Sequence, residues 1–459
     1  MARERRWSRR EALKGAAAVA AVGCKPRGAE QRPSGDSAAA VTPGTVDTVI
    51  MVMMENRSFD HWFGARALLE GRLDEDGLTA SMVNYNSAGE PVAPFRAVAP
   101  CLSDPPHGWS SSHNQWDEGT NDGFVREYAR SSGGDGVDVM GYLTRDDLPI
   151  SWALADAFLN CDRYFCSVMG PTWPNRIYGH AGSNLGMTGN SFPEEGLYSQ
   201  QTVWKAVEAA GIEWAYYYSD VPFIAVFREH FEASKTKIID DFFEDAAAGR
   251  LPPVVWIDPA FTYNDDHPPK HHALGELFLA QIYEALRASP QWERMLVLFT
   301  FDEHGGFFDH VPPPTTEDDY AEQGFDQLGF RVPAVVMGPW VKQGVDSTPY
   351  NHTSWLKFIC ELHEIEPWTT RIAAASSLGL ALDADRMAAG EPLDAPDLPD
   401  FSFDESTMDP SCDGGNDVIS AVLMESAERA RRLGYPVRLN KDEVAAPFRA
   451  AARRRRLIG

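Results

Sequence analysis

Short runs of apolar and β-branched residues constrain the fold of this chain more than any other sequence feature. The four clearest runs are Val46–Met54, Val254–Ile257, Met295–Phe301 and Pro333–Met337. Polar or turn-forming residues follow each of them, which is typical of strands buried on both faces. Helical patterns lie between the runs, at Thr202–Ala210 and Leu274–Ala288. The alternation predicts an α/β fold, a three-layer sandwich with helices on both faces of a mostly parallel central sheet.

Two of the predicted strands end directly in pairs of side chains that carry oxygen. Glu55 and Asn56 follow the first run, and Asp302 and Glu303 follow Met295–Phe301. Ligands collect at the carboxyl ends of strands in an open parallel sheet, so both pairs are expected at one edge. Hard divalent cations prefer oxygen ligands, and adjacent carboxylates repel each other unless a cation or a proton relieves them. Alone, either pair could be a turn cap or an acidic surface feature; together they indicate a metal site.

The segment Gly170–Arg176 contains a candidate nucleophile, Thr172. Pro174 suits the first turn of a helix, so Thr172 is expected at the helix start. A hydroxyl there faces free backbone N–H groups, which stabilise a phosphate dianion and an attacking alkoxide. The alternative is that Thr172 only caps the helix.

Histidines supply candidates for proton transfer and phosphate binding. His107 follows Asp104 and two prolines, His113 lies further along the same segment, and His267 follows two aspartates. An imidazole near a leaving oxygen can protonate it, and an imidazolium can hold phosphate oxygens. The chain has 12 His, so any single one is more often structural than catalytic.

Several of these segments occur together, and in a fixed order, in one enzyme family. The segments are MMENRSFDHWFG, DPPHGW, GPTWPNR, DDHPP, FDEHGGFFDHVPPP and VPAVVMGPWV. From about Val46 to Phe358 the chain resembles the phosphoesterase family of bacterial phospholipases C, plant non-specific phospholipases C and bacterial acid phosphatases. The resemblance implies a fold related to that of alkaline phosphatase and the sulfatases.

The resemblance also implies roles for particular residues. One divalent metal ion, calcium or another hard cation, is expected on four ligands: Glu55, Asn56, Asp302 and Glu303. Thr172 is the implied nucleophile, His107 and His267 are expected to surround the phosphate, and His310 is expected either to be structural or to support residues that contact the metal or the phosphate. The implied mechanism is double displacement, in which Thr172 attacks phosphorus, a histidine protonates the departing alcohol, and water then hydrolyses the phospho-threonine.

The sequence leaves the substrate open between two classes of phosphoric ester. A phospholipase C acting on glycerophospholipids is favoured, and an acid phosphatase acting on phosphomonoesters is the alternative. A lipid-anchored protein that binds a phosphorylated ligand without turnover is disfavoured, because Thr172 and the four ligand candidates are intact. The formal net charge of -26 argues against a nucleic-acid partner.

Residues 1–24 are interpreted as an export signal. Arg9-Arg10, Lys14 and the small-residue run that follows resemble a signal read by the twin-arginine export machinery. Ala21 to Cys24 resembles a lipoprotein cleavage box, although Ala21 replaces the usual large aliphatic residue. A lipid anchor at Cys24 and a free periplasmic or extracellular protein therefore both stay open.

The rest of the chain is divided by composition. Residues 25–45 are predicted to be a flexible tether, and residues 46–390 a catalytic domain. Residues 391–459 begin acidic and rich in proline and continue as a helical C-terminal appendage. The six cysteines give no pairing that the sequence alone can assign.

Overall fold

The computed structural model of the protein describes most of the chain beyond residue 44. The described ranges are 45–99, 101–102, 104–194, 196–229, 231–413 and 421–454. The predicted export signal, Cys24 and nearly all of the predicted tether lie outside these ranges. Within the described residues, no helix is long and apolar enough to cross a membrane.

The strands of the described residues include every run predicted from the sequence. They are β1 (Thr48–Met54), β2 (Asn84–Tyr85), β3 (Pro91–Val92), β4 (Phe95–Arg96), β5 (Gly141–Tyr142), β6 (Leu159–Cys161), β7 (Tyr164–Phe165), β8 (Trp214–Tyr218), β9 (Thr236–Ile238), β10 (Val254–Ile257), β11 (Met295–Phe301), β12 (Ala334–Met337), β13 (Gly344–Asp346) and β14 (Tyr350–Asn351).

Eight of these strands form the central sheet, in the order β13-β6-β12-β11-β1-β10-β8-β9. Neighbouring strands pair in parallel except at β12, which runs antiparallel to β11 and to β6. The predicted mostly parallel sheet is therefore confirmed. All residues of β1 are buried, which explains why this strand reads as a continuous apolar run.

Helices cover both faces of the sheet. They are α1 (Phe59–Trp62), α2 (Ala65–Glu70), α3 (Trp109–Trp116), α4 (Phe124–Ser132), α5 (Pro149–Ala157), α6 (Thr172–Ala181), α7 (Val203–Ala209), α8 (Ile239–Ala247), α9 (His272–Arg287), α10 (Ser354–Leu362), α11 (Thr370–Ala374), α12 (Ala384–Ala389), α13 (Ala421–Arg432) and α14 (Lys441–Arg454). Successive residues of β8 point to opposite faces, where Tyr216 contacts Trp204 of α7 and Tyr217 contacts Phe242 of α8. The three-layer α/β class is confirmed.

Helix α9 begins at His272, earlier than the predicted start at Leu274. The cause is His271, whose Nδ1 accepts a hydrogen bond of 3.1 Å from the backbone N–H of Ala273 and so caps the helix. Imidazole is an unusual cap, which is why the pattern of apolar residues placed the start two residues too late.

The C-terminal region carries the predicted helices, α13 and α14. Phe448 of α14 packs against Phe278 of α9, with ring centroids 5.7 Å apart. A disulfide joins Cys101 to Cys412 and so connects the chain just before the DPPHGW segment to the chain before α13. The predicted boundary between residues 390 and 391 stays a prediction, because no feature of the structure tests it.

Candidate active site

The two predicted pairs of ligands lie side by side at one edge of the sheet. Met54, the last residue of β1, is in register with Phe301, the last residue of β11. The residues that follow these two strands therefore meet, and the backbone N–H of Asn56 donates to Oδ1 of Asp302 over 3.1 Å. The sequence predicted this juxtaposition from the strand ends alone.

Close backbone packing shapes the turn after β11. Gly305 has a φ of 64°, and a Cβ atom at this position would lie 2.2 Å from the backbone oxygen of Asn56. Asn56 itself has a φ of 64°, a left-handed conformation that asparagine tolerates better than most residues. Gly305 thus lets the two strand ends approach each other.

Burial concentrates acidic groups at this point. Asp302 and Glu303 are fully buried, and Glu55 is 6% exposed. Burial raises the pKa of both Asp302 and Glu303 to about 7, although Arg176 beside the first and His107 beside the second act in the opposite direction. Burial likewise raises the pKa of Glu55 well above its usual range.

The donor set fits a hard divalent cation. Among the described residues, none donates a hydrogen bond to the buried Oδ1 of Asn56 or to the buried Oε1 of Glu303. Buried oxygens without donors are costly, and a bound cation would remove that cost. The observation is consistent with the four predicted ligands: Glu55, Asn56, Asp302 and Glu303.

Arg176 provides the buried positive charge of the site, a role that the sequence analysis did not assign. Its Nε lies 3.1 Å from Oδ2 of Asp302 and 3.4 Å from Oε1 of Glu55. Its Nη1 donates to Oδ1 of Asp258 over 2.8 Å. The residue belongs to the GPTWPNR segment, so the signal was present in the sequence, but the partners come from three separate strands.

Thr172 is the first residue of α6 and does not cap it. The N-cap is Pro171, without a hydrogen bond from a side chain. Among the described residues, no group forms a hydrogen bond with the Thr172 hydroxyl, and the residue is 9% exposed. The loop before it is fixed by Asn175, whose side chain accepts from the N–H of Val168 and donates to the carbonyl of Gly170, both over 2.9 Å. The capping alternative is therefore not what this geometry supports.

A cleft of about 440 Å³ brings the predicted residues together. Glu55, His107, Thr172 and His267 line it, and Asn56, Asp302 and Glu303 are buried beside them. The ring centroids of His107 and His267 lie 5.9 Å apart. All seven predicted site residues thus belong to one region.

The two cleft histidines differ in charge. Despite burial, the carboxylates of Glu303 and Asp104 raise the pKa of His107 to about 9. Burial and the nearby Lys270 lower the pKa of His267 well below its usual range. His107 therefore favours the imidazolium form and His267 the neutral form.

The other histidines considered from the sequence lie elsewhere. His113 is on α3, where its Nδ1 lies 2.7 Å from the carbonyl oxygen of Trp109, and it does not line the cleft. His310 bridges two carboxylates, with Nδ1 2.7 Å from Asp60 and Nε2 3.1 Å from Asp76. These contacts agree with a structural role for His310.

Some cleft residues were missed from the sequence. Asp104, His107 and His267 offer ligand atoms that all lie within 4.8 Å of one another, a second arrangement that could hold a metal ion. Lys270 also lines the cleft, and its Nζ lies 3.0 Å from Oδ1 of Asp265. Asp104 and Asp265 were quoted only as neighbours of the histidines, because an isolated aspartate in so acidic a chain carries no signal of its own.

Comparisons with known proteins agree with the resemblance found in the sequence. The model of the phosphoesterase family matches residues 46–366. Non-specific phospholipase C1 of Arabidopsis thaliana is 33% identical over 345 residues, which cover 66% of this chain and 62% of the plant protein. Phospholipase C A of Mycobacterium tuberculosis is 30% identical over 377 residues, covering 68% of this chain and 72% of the relative. The chain therefore spans less than two thirds of the plant relative and more of the mycobacterial one.

A solved structure from Vibrio parahaemolyticus, described as a protein in the alkaline phosphatase superfamily, is 10% identical, with a TM-score of 0.37 over 74% of this chain and 72% of that one. The fold class rests on the sheet described above. The family match does not depend on this structural likeness, since it covers well over half of the chain. This chain belongs to the phosphoesterase family.

Proposed function

We propose that this protein hydrolyses phosphoric esters, with Thr172 as the nucleophile. The observation that carries the proposal is the position of Thr172, which lines the same cleft as Glu55, His107 and His267. The names of the relatives, phospholipases C from a plant and from a bacterium, support the same reaction class.

One divalent cation, calcium or another hard ion, is proposed on Glu55, Asn56, Asp302 and Glu303. When bound, such a cation lowers the pKa of an adjacent hydroxyl and neutralises charge on a phosphate oxygen. Arg176 would hold Glu55 and Asp302 in place through the contacts of its Nε, so that both carboxylates keep their orientation towards the cleft.

The residues of the chain account for the remaining steps. Oγ1 of Thr172 attacks phosphorus as its proton passes to the neutral imidazole of His267, which lines the same cleft, and the bond from phosphorus to the alcohol oxygen breaks. His107 donates a proton to the departing alcohol, which its pKa of about 9 permits at neutral pH. Water then attacks the phospho-threonine and returns a proton to His107, while His267 returns its proton to Oγ1 of Thr172 as the bond from phosphorus to that oxygen breaks.

A phospholipid is proposed as the substrate in preference to a phosphomonoester. The relatives reported above are named phospholipases C. Hydrolysis of phosphatidylcholine and of a simple aryl phosphate by one purified preparation would separate the two classes. Release of phosphate from the aryl ester alone would favour an acid phosphatase, and binding without turnover of either compound would favour a non-catalytic protein.

Replacement of Thr172 tests the nucleophile. Thr172→Val keeps the shape and removes the hydroxyl, so kcat is expected to fall by several orders of magnitude while the thermal unfolding temperature stays close to that of the wild type. Thr172→Ser is the matched control, because it restores a hydroxyl. Near-normal turnover in Thr172→Val would exclude the covalent mechanism proposed here.

Elemental analysis tests the cation. One tightly bound divalent ion per chain is expected in active protein, and Asp302→Asn should weaken its binding because one charge is removed. Asp397→Asn is a suitable control, since the Asp397 side chain is 91% exposed and pairs with Arg287 at the surface. Activity that survives complete removal of metal would contradict the proposal.

We further propose that the protein is exported through the twin-arginine route and is periplasmic, extracellular or anchored as a lipoprotein. The support is the sequence of residues 1–24 alone. Replacing Arg9 and Arg10 together by lysine should leave the precursor in the cytoplasm, because the receptor reads the arginine pair. Cys24→Ala tests the anchor separately: release from the membrane fraction is expected if Cys24 is acylated.

A further inference from the structure

The cleft is not polar throughout. Beside Thr172 its wall is aromatic and aliphatic, formed by Trp173, Val221, Phe223 and Phe261. The rings of Trp173 and Phe223 meet edge to face, with centroids 5.8 Å apart, and the guanidinium of Arg176 lies 4.9 Å from the centroid of Phe261. An apolar surface thus lines the same cleft as the candidate nucleophile.

Helix α13 completes this wall, although it lies beyond the segment matched by the family model. Leu423 and Ser426 of α13 line the cleft. The helix is held against the turn that carries Phe223, because Arg429 donates to the carbonyl oxygens of Ala225 and Phe227 over 2.6 and 3.0 Å. The position of Leu423 in the cleft is therefore fixed by specific contacts.

Ser426 gives the wall one polar group. It is 3% exposed, and among the described residues nothing forms a hydrogen bond with its Oγ. A buried hydroxyl without a partner is costly, and sites for apolar ligands use few polar groups to orient the ligand. A ligand that fits this wall has hydrocarbon next to an oxygen that can share a hydrogen bond.

We propose that α13 forms a binding site for the acylated glycerol part of the substrate, with Leu423 against the acyl chain and Ser426 donating to an ester carbonyl. This inference rests on the proposed function, since it assigns the alcohol side of the same ester. It makes the C-terminal appendage the element that selects diacylglycerol esters over esters of small alcohols.

The test compares two phosphodiesters that share one head group. Monomeric dihexanoyl phosphatidylcholine carries the acyl chains, and p-nitrophenyl phosphorylcholine lacks them. For Leu423→Gln, kcat/KM on the first ester should fall roughly ten- to hundredfold, as expected when one buried Leu contact is lost, while kcat/KM on the second changes less than twofold. Ser426→Ala should reduce kcat/KM on the acyl ester alone by about fivefold. Met424→Gln is the matched control, because Met424 is the neighbouring residue on α13, is 37% exposed and does not line the cleft.

Direct binding separates this inference from the proposed function. Dihexanoylglycerol should bind the wild type and Thr172→Val equally in titration calorimetry, and Leu423→Gln more weakly, whether or not either ester is hydrolysed. Equal losses on both esters in Leu423→Gln, or binding of dihexanoylglycerol that is undetectable or unaffected by the substitution, would overturn it. Unchanged thermal unfolding of Leu423→Gln excludes a trivial loss of α13.

Discussion

Arg176→Met is expected to destabilise the protein by about 3 kcal/mol. Removal of one partner from a buried ion pair typically costs 3–5 kcal/mol, because a buried charge is left uncompensated. Arg176 contacts three carboxylates, and its Nη2 also donates to the carbonyl oxygens of Met53 and Met54 over 3.2 Å. These contacts place the substitution among the most costly in the site.

Remaining donors limit the loss to the lower end of that range. Asp258 keeps the indole N–H of Trp256, at 2.6 Å, and the hydroxyl of Tyr216. Asp302 keeps two backbone N–H donors, and its pKa of about 7 lets it take up a proton instead of remaining charged. Neither carboxyl group is therefore left without a partner.

Urea unfolding at pH 7 in the presence of a chelator would measure this loss. Arg287→Met is the control, because Arg287 lies at the surface beside an exposed carboxylate and should change the free energy of unfolding by less than about 1 kcal/mol. A loss below about 1 kcal/mol in Arg176→Met would refute the assignment of Arg176 as the buried countercharge. The free energy of unfolding lost in Arg176→Lys should lie between the losses in Arg287→Met and Arg176→Met, since lysine restores the charge without the planar guanidinium.

Three further predictions follow from local geometry. Gly305→Ala should weaken metal binding and destabilise the fold, because its Cβ would lie 2.2 Å from the Asn56 oxygen; unchanged metal affinity would show that the turn can move. His310 is buried, yet its carboxylate partners raise its pKa to about 9. The stability that the His310 imidazolium contributes to the fold is therefore complete below the unfolded pKa, about 6.5, and is lost as the pH rises through 9. The free energy of unfolding lost in His310→Asn should accordingly shrink between pH 6.5 and 9.5, and a constant difference would contradict the pairing. Cys412→Ser should lower the free energy of unfolding by about 2–4 kcal/mol in calorimetry, because the disulfide to Cys101 closes a very long loop. If a reductant left the unfolding of the wild type unchanged, that result would argue against the disulfide.

The central strands were predictable because buried parallel strands are apolar along their whole length. β1 and β11 stand out as such runs, and the residues that follow them reach the same edge by sheet geometry alone. Other strands carry no such signal, since β6 and β13 have three residues each. The antiparallel direction of β12 is also unreadable, because a run of buried residues is the same in either direction.

The candidate site was predictable only where residues adjoin an element boundary. Glu55 and Asp302 follow strands, and Thr172 begins a helix, so local patterns indicate them. Arg176 lies inside a helix, and its role depends on carboxylates that are distant in the sequence. The place of α13 in the cleft is likewise a contact across some 200 residues, for which no local pattern exists.

Helix α6 joins the two functions that the site needs. Residues four apart lie on one face of a helix, so Thr172 and Arg176 point the same way, the first into the cleft and the second among the buried carboxylates.

Among the described residues around the cleft, carboxyl groups outnumber cationic groups. The carboxyl groups are Glu55, Asp104, Asp265, Asp302 and Glu303, and the cationic groups are His107, Arg176 and Lys270. The pKa values of Asp302 and Glu303, both raised to about 7, show that ionising this cluster is already costly, and a phosphate ester would add further negative charge to its ionised form across a few ångströms of poorly screened interior. An added divalent cation would reverse that balance, and this electrostatic requirement links the acid cluster to the proposed nucleophile, Thr172, beside it.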